Sequence, residues 1–184
     1  SERLTRLVNN VLDFSRMEQG RRRYAIESAD LARILREVAD AQRDRLRASG
    51  LTLVLAGCDA PVVLPVDRDA VEQVMVNLLD NAAKYAAGGG EVTVTLHTVP
   101  DGAEISVEDR GPGIAPAHRK RLFESFYRAD CELTSRSSGC GLGLSIARRL
   151  MRGMGGDLLF APREGGGCRF TLRVAGDATR EAPA

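Results

Sequence analysis

The feature that most constrains the fold of this chain is a glycine loop that runs directly into an amphipathic stretch. Residues 137–150, SSGCGLGLSIARRL, contain three glycines within five positions. Such a loop can present backbone N–H groups at a helix N-terminus, where they bind phosphate. No Lys follows as in a Walker A loop, and neither glycine register supplies the third glycine of a dinucleotide fingerprint. A nucleotide site of another fold, or a simple hinge before a helix, therefore stays open.

Length and composition are those of one soluble domain. The chain has 184 residues, 43% hydrophobic and 28% charged, with a formal net charge of +1. That balance argues against a nucleic-acid or membrane-surface partner held by bulk charge. No segment approaches the roughly 20 apolar residues of a membrane span, and no signal peptide is visible. We therefore expect a cytoplasmic fragment without membrane contact, and a parent protein anchored in the inner membrane stays open.

The hydrophobic pattern predicts an α+β two-layer sandwich, with a mixed, largely antiparallel sheet covered on one face by helices. Asp67 is expected to cap one helix, and Ser28 or Asp30 another. The predicted helices are 1–19, 28–48, 69–86, 116–126 and a last one ending near residue 154. The predicted strands are 51–55, 62–65, 91–99, 103–110, GGDLLFAP and CRFTLRVA, the last two joined by a turn at 165–167.

The first twenty residues form a segment of their own. Apolar residues recur there at bundle-type spacing, at Leu4, Leu7, Val11 and Phe14. This seam favours one half of a dimeric helical bundle over a helix docked on its own domain. The expected organisation is a bundle helix at 1–20, a main domain at 24–175 and a flexible tail at 176–184.

A second glycine motif, VEDRGPGI, follows a predicted strand. Asp109 lies at the strand end, and Gly111 and Gly113 bracket a proline. A carboxylate there can accept a hydrogen bond from an amine such as the adenine N6, and glycines let the backbone approach a flat base. An ordinary tight turn would give the same pattern.

A third motif, NLLDNAAKY, lies on a predicted helix. Asn77 and Asn81 are one turn apart, and Lys84 follows on the adjoining turn. Two amide oxygens and an ammonium can hold hydrated Mg²⁺ and polyphosphate oxygens. A solvated polar face is the alternative.

The fourth element is RLFESFYRAD. Phe123 and Phe126 are expected to share one side of a short helix as core residues. Arg128 beyond them is either a surface charge or a group that reaches a terminal phosphate.

In this order the four elements resemble the catalytic, ATP-binding domain of sensor histidine kinases, a member of the GHKL superfamily with the Bergerat fold. The resemblance implies that Asn77, Lys84 and Arg128 act in phosphoryl transfer, and that Asn77 and Asn81 coordinate Mg²⁺. It also implies an ATP lid at 127–138 and a set of ATP-binding residues, namely Asn77, Asn81, Lys84, Tyr85, Asp109, Gly111, Gly113, Gly139, Gly141, Leu142, Gly143 and Leu144.

The resemblance also implies the reaction and its partners. ATP-hydrolysing relatives carry Glu where this chain has Asn77, and an amide cannot act as a general base near neutral pH. Glu72 lies about 140° around the helix and is a poor substitute. We therefore expect transfer of the γ-phosphoryl group to a histidine on the missing first bundle helix of the same or a partner chain. The full-length protein, expected to be a homodimer, would then pass the phosphoryl group to a response regulator receiver domain.

Some residues depart from this pattern. His97 and His118 lack the sequence expected around a phosphoacceptor, so the fragment should bind Mg-ATP without phosphorylating itself. Cys140 replaces the usual Thr of the glycine box, and Cys131 nearby raises a redox hypothesis. A degenerate nucleotide-binding module and a serine kinase of the anti-sigma-factor type are the alternative functions.

Overall fold

The computed structural model describes residues 12, 15, 19, 20, 22–88, 90–128 and 141–176. The elements in this part of the chain are β1 (Glu27–Asp30), α1 (Leu31–Ala48), β2 (Leu51–Ala56), β3 (Val63–Val66), α2 (Arg68–Tyr85), β4 (Gly90–Val99), β5 (Gly102–Asp109), α3 (Pro116–Arg119), α4 (Gly143–Gly153), β6 (Asp157–Pro162) and β7 (Cys168–Ala175).

Five strands form the main sheet, in the order β2-β4-β5-β7-β6. Only the β2–β4 pair is parallel, and the other three pairs are antiparallel. The hairpin of β4 and β5 turns at Val99 and Gly102, as the alternating sequence predicts. The predicted mixed, largely antiparallel sheet is thus confirmed.

One face of the sheet carries the core. Alternate residues of β4, β5 and β7 are buried there, and α1, α2 and α4 cover them with their own apolar stripes. Burial of each such large side chain stabilises the fold by roughly 1.5–3 kcal/mol. The opposite face is polar, with half-buried Thr and Ser and the cross-strand ion pairs Glu104–Arg173 and Glu108–Arg169. The predicted two-layer sandwich is therefore confirmed.

Two aspartates begin the long helices. Asp67 caps α2, where its Oδ1 accepts the N–H of Ala70 at 3.0 Å, as the sequence predicts. Asp30 caps α1 by accepting the N–H of Ala32 at 3.1 Å, and it also accepts the N–H of Val62 at 3.0 Å. The prediction of a helix from residue 28 is wrong for its first turn, because 27–30 form β1, which pairs with β3.

The predicted helix 116–126 is also shorter than expected. Only Pro116–Arg119 is helical, and turns follow as far as Phe126. Phe123 packs against the core, as expected, but Phe126 is 62% exposed and has φ +65. The prediction that Phe126 is a core residue is wrong. Its N–H donates to the carbonyl of Gly141 at 3.0 Å, so contact with the glycine loop fixes this backbone.

The predicted bundle helix lies mostly outside the described residues, including all of its seam. Leu12 and Ser15 are helical, and the Gln19 N–H donates to the Ser15 carbonyl at 3.1 Å. Residues 177–184 of the predicted tail also lie outside the described part. Among the helices of the described ranges, none has the length and apolarity to cross a bilayer.

An aspartate clamps α4 to the sheet. Asp157, at the start of β6, accepts bonds from Arg148 at 2.8 and 3.1 Å and from Arg152 at 3.1 Å. The Arg148 guanidinium also lies 4.6 Å from the centre of the Phe123 ring. Burial raises the pKa of Asp157, but the bonds from Arg148, Arg152 and the Leu158 N–H outweigh it and lower the pKa from 3.8 to about 2.

We expect Asp157→Asn to lose part of the pH dependence of stability at acidic pH. Because the folded-state pKa is depressed, the carboxylate stabilises the fold above about pH 4, and this contribution is lost as the pH falls toward about 2. Since the side chain is 27% exposed, the loss at neutral pH should be only about 1 kcal/mol. Urea unfolding between about pH 6 and about pH 2 measures it. Asp101→Asn, in an exposed turn, is the control, and identical pH curves for Asp157→Asn and the unmodified chain would contradict the assignment.

Candidate functional site

Asp109, the last residue of β5, is held in place by backbone donors. Its Oδ1 accepts the N–H of Gly111 at 2.9 Å and the N–H of Cys168 at 3.3 Å. Both bonds use the same oxygen, and none of the described residues donates to Oδ2. A fixed carboxylate with one oxygen outside these bonds can accept a hydrogen bond from a ligand amine.

Glycines allow three backbone segments to meet at Asp109. A Cβ on Gly167, which has φ +98, would lie 2.0 Å from the Asp109 carbonyl oxygen. A Cβ on Gly113 would lie 3.3 Å from the Gly167 carbonyl oxygen, and one on Gly111 would lie 3.0 Å from the Cβ of Ala86. The β6–β7 turn therefore packs against the DRGPG loop on one side, and the end of α2 contacts the same loop at Gly111.

Sequence reasoning missed Gly167 and Cys168 as supports of Asp109. The glycine triplet at 165–167 predicted a turn, but it gave no indication that this turn lies against Asp109. Burial raises the pKa of the Cys168 thiol to about 12, and the charge of Asp109 adds to this. Cys168 is therefore an un-ionised, buried thiol. Cys131 and Cys140 lie outside the described residues.

Asn77 joins α2 to the start of α4. Its Nδ2 donates to the carbonyl of Gly143 at 3.4 Å, so Oδ1 is left as the ligand atom of the amide. A Cβ on Gly143 would lie 3.7 Å from this Oδ1, so glycine keeps the space beside the amide open. Asn81 lies one turn further along α2 and is half-buried.

The one acid within the NLLDNAAKY motif, Asp80, has its partner on another helix and not at Asn77 or Asn81. Asp80 is 8% exposed and forms an ion pair with Arg45 of α1. Among the described residues no group of three or more His, Cys, Asp or Glu could hold a metal ion. A cation at Asn77 and Asn81 would therefore bind neutral amide oxygens together with oxygens of the ligand itself, a donor set that suits Mg²⁺.

The N-terminus of α4 differs from those of α1 and α2. Leu142 occupies the cap position and no side chain caps this end, whereas aspartates cap the other two helices. The Leu142 side chain is fully buried, so only the backbone of this residue could contact a ligand, and the Leu144 side chain is partly buried against the core. First-turn N–H groups without a side-chain cap can bind an anion.

The segment that ends at Arg128 and the segment that begins at Gly141 are in contact, through Phe126 and Gly141. This residue has φ +70, and a Cβ on it would lie 2.8 Å from the carbonyl carbon of Phe126. The Phe126 N–H donates to its carbonyl. A close contact of this kind requires glycine and fixes where the glycine loop enters α4. Gly139 and most of the predicted lid lie outside the described residues.

The remaining predicted site residues lie at the edges. Lys84 and Tyr85 are exposed in the last turn of α2, and Arg128 is half-buried. Tyr127 beside it is held by His118, whose Nδ1 lies 2.5 Å from the tyrosine oxygen. His97 is exposed in β4, so the two histidines occupy separate positions.

The two groups of site residues are connected by α2. Asn77 contacts Gly143 at one point, and Ala86, just after the helix, contacts Gly111 near Asp109. Nine residues of helix separate these points, roughly 14 Å along the axis. The Asp109 carboxylate and the N-terminus of α4 therefore lie near two points of α2 that are roughly 14 Å apart.

Residues 66–177 match the protein family described as "Histidine kinase-, DNA gyrase B-, and HSP90-like ATPase". The chain is similar to the sensor protein SrrB of Staphylococcus aureus, with 31% identity over 174 residues, which is 95% of this chain and 30% of SrrB. It therefore spans under a third of that relative.

Solved structures of histidine kinases resemble the fold. The Acinetobacter baumannii histidine kinase AdeS gives a TM-score of 0.76 and 26% identity, covering 96% of this chain and 80% of AdeS. Full-length ShkA in complex with AMPPNP gives a TM-score of 0.79 and 30% identity, covering 97% of this chain and 38% of ShkA.

We expect Gly167→Ala to weaken binding of an ATP analogue by about tenfold, or about 1.4 kcal/mol. The new Cβ would collide with the Asp109 carbonyl and shift the carboxylate. Gly165→Ala is the matched control, because Gly165 also has positive φ but no atom lies within 4 Å of its Cβ position. Calorimetric titration with thermal unfolding of both variants measures the effect. Equal affinities in the two variants would contradict the support role of Gly167.

Proposed function

Since this chain belongs to the family of histidine kinase-, DNA gyrase B- and HSP90-like ATPases, we propose that it is the ATP-binding catalytic domain of a sensor histidine kinase. The observation that carries the proposal is the elongated site along α2, with Asp109 near one end and the Asn77–Gly143 contact at the other. A nucleoside triphosphate is the ligand whose two ends need these two kinds of group.

The base binds at the Asp109 end in this proposal. Two backbone N–H groups already hold Oδ1, which leaves the carboxylate able to accept the adenine amine. Gly111 and Gly113 let the loop pack closely against Ala86 and Gly167, which holds the loop backbone beside the carboxylate. Tyr85 lines the nucleotide from the last turn of α2.

The phosphates bind at the α4 end. Backbone N–H groups of Gly141, Gly143 and the first turn of α4 receive phosphate oxygens, supported by the missing side-chain cap. Asn77 and Asn81 supply amide oxygens to Mg²⁺, which neutralises charge on the phosphate oxygens when bound. Lys84 and Arg128 add positive charge near the terminal phosphate.

The proposed reaction is phosphoryl transfer and not hydrolysis. A histidine nitrogen attacks the γ-phosphorus, the bond to the bridging oxygen breaks, and ADP leaves with the electron pair. Activation of water would need a general base, and Asn77 carries a neutral amide at the relevant place. Glu72 is engaged by Arg68 at 2.8 Å on the same helix, which supports its exclusion as a substitute base.

The proposal extends to the parent protein. Residues 1–20 would be the second helix of a dimerisation and phosphotransfer bundle, 24–175 the catalytic domain and 176–184 a tail. The acceptor histidine would lie on the first bundle helix of the same or a partner chain in a homodimer. A response regulator receiver domain would then take the phosphoryl group, and the catalytic domain would act in the cytoplasm.

We expect Asn81→Ala and Asp109→Ala each to weaken Mg-ATP binding by tenfold or more, because each removes about 1.5–3 kcal/mol of contact to a charged or buried ligand group. Calorimetry with and without Mg²⁺ separates the two ends: only Asn81→Ala should reduce the Mg²⁺ dependence. Asp101→Ala is the control on an exposed turn. Undiminished binding in both site variants would remove the basis for the proposed site.

We expect the fragment alone to retain no phosphoryl group after incubation with labelled ATP, and to label a separately supplied bundle that contains the acceptor histidine. Arg128→Ala should slow this labelling by about a hundredfold or more, since charge stabilisation in phosphoryl transfer is worth several kcal/mol. Label on the fragment itself that is lost in His118→Ala or His97→Ala would overturn the acceptor assignment.

A further inference from the structure

The segment that follows the first twenty residues contacts α2 and α4, the two helices of the proposed nucleotide site. We call residues 22–26 the strap. Its Tyr24 ring packs against the core, and a Cβ on Gly153 would lie 2.1 Å from the tyrosine oxygen. The absence of a side chain at the last residue of α4 therefore forms a notch for this ring. The Tyr24 hydroxyl also reaches the carbonyl of Arg149 at 3.5 Å.

The strap makes a second contact, with the start of α2. The Ala25 N–H donates to Oδ2 of Asp67 at 3.1 Å, and Oδ1 of the same carboxylate caps the helix. Asp67 is only 6% exposed, so loss of the Ala25 bond would leave a buried charged oxygen without that donor. The strap is thus attached to the C-terminal end of α4 and to the N-terminal end of α2.

The two helices are also linked to each other at two places, one at the start of α2 and one at its middle. At the strap end the Asp67 N–H donates to Sδ of Met154, at 3.4 Å. At the nucleotide end Asn77 Nδ2 donates to the Gly143 carbonyl, also at 3.4 Å. The helices therefore run antiparallel, with these two links roughly 15 Å apart along α2. Helices of this length move as rigid bodies in a packed core, so a change in spacing at one link alters the other.

We infer that the strap is a coupling element: its docking in the Gly153 notch and on Asp67 holds α2 and α4 in the arrangement that binds nucleotide. Undocking of the strap lowers nucleotide affinity, and bound nucleotide strengthens strap docking by the same factor, because coupling between two binding events is reciprocal. A movement of the preceding helix would then change nucleotide affinity and not only the distance to the acceptor. The inference rests on the proposed nucleotide site.

The test combines three variants in the same chain. Gly153→Ala fills the notch with a methyl group, and Tyr24→Ala removes the ring. The double variant combines both substitutions. Tyr24→Phe, which keeps the ring, is the conservative control. Hydrogen exchange of the Ala25 amide, followed by NMR, reports strap docking with no nucleotide present. Calorimetry with Mg-AMPPNP reports nucleotide affinity, and thermal unfolding checks that each variant folds.

We expect both single substitutions to speed exchange at Ala25 and to raise the Kd for Mg-AMPPNP at least about fivefold. The double variant should match Tyr24→Ala, since a Cβ at position 153 has nothing to displace once the ring is gone. Tyr24→Phe should stay within about twofold of the unmodified chain. Saturating nucleotide should slow Ala25 exchange in the unmodified chain by about the factor that the substitutions cost in affinity.

Three results would overturn the inference, and a fourth bears on the proposed function. Faster Ala25 exchange with an unchanged Kd would show that the strap is a structural attachment only. Unchanged exchange in Gly153→Ala, or additive effects in the double variant, would remove the notch as the docking site. A lack of nucleotide binding by the unmodified chain would refute the proposed function itself, and this is seen before any variant is compared.

Discussion

The structure depends on the packing of helix α2, which is in contact with other elements on three sides. Its buried side chains, among them Val74, Met75 and Leu78, fill the space over the sheet. Its neighbours α1 and α4 take the flanks, and only a narrow edge is left for polar groups. Asn77 and Asn81 lie on that edge, half-buried. Packing of α2 against the core therefore fixes the position of this edge and of its two amides.

Three acids in α2 and at its cap have partners within the protein, away from the edge formed by Asn77 and Asn81. Asp80 pairs with Arg45, Glu72 with Arg68, and Asp67 caps the helix while holding the strap. A polyphosphate would be repelled by an uncompensated carboxylate at that edge. The acids of this helix instead stabilise its start and its contacts with α1.

Much of the fold could be predicted because its signals are local. The Asp67 cap, the β4–β5 hairpin and the C-terminal end of α4 each follow from a few neighbouring residues. What could not be predicted depends on distant partners: β1 exists because Val63–Val66 lies beside it, and Phe126 is exposed because Gly141 holds its backbone. In the candidate site, the positions of Asn77 and Asn81 on a helix and of Asp109 at a strand end could be predicted. The contact of Asn77 with Gly143 and the support of Asp109 by Gly167 could not, because each joins segments about sixty residues apart.

The link between Phe126 and Gly141 also bears on how this chain could vary among relatives. The two points are held together by a hydrogen bond and a close backbone contact, independently of the residues between them. Once the ends of a loop are fixed, doubling its length costs only about 0.6 kcal/mol of closure entropy. The core should therefore tolerate changes in the length of the segment between these two anchors, provided that Arg128, which the proposed function uses, is kept.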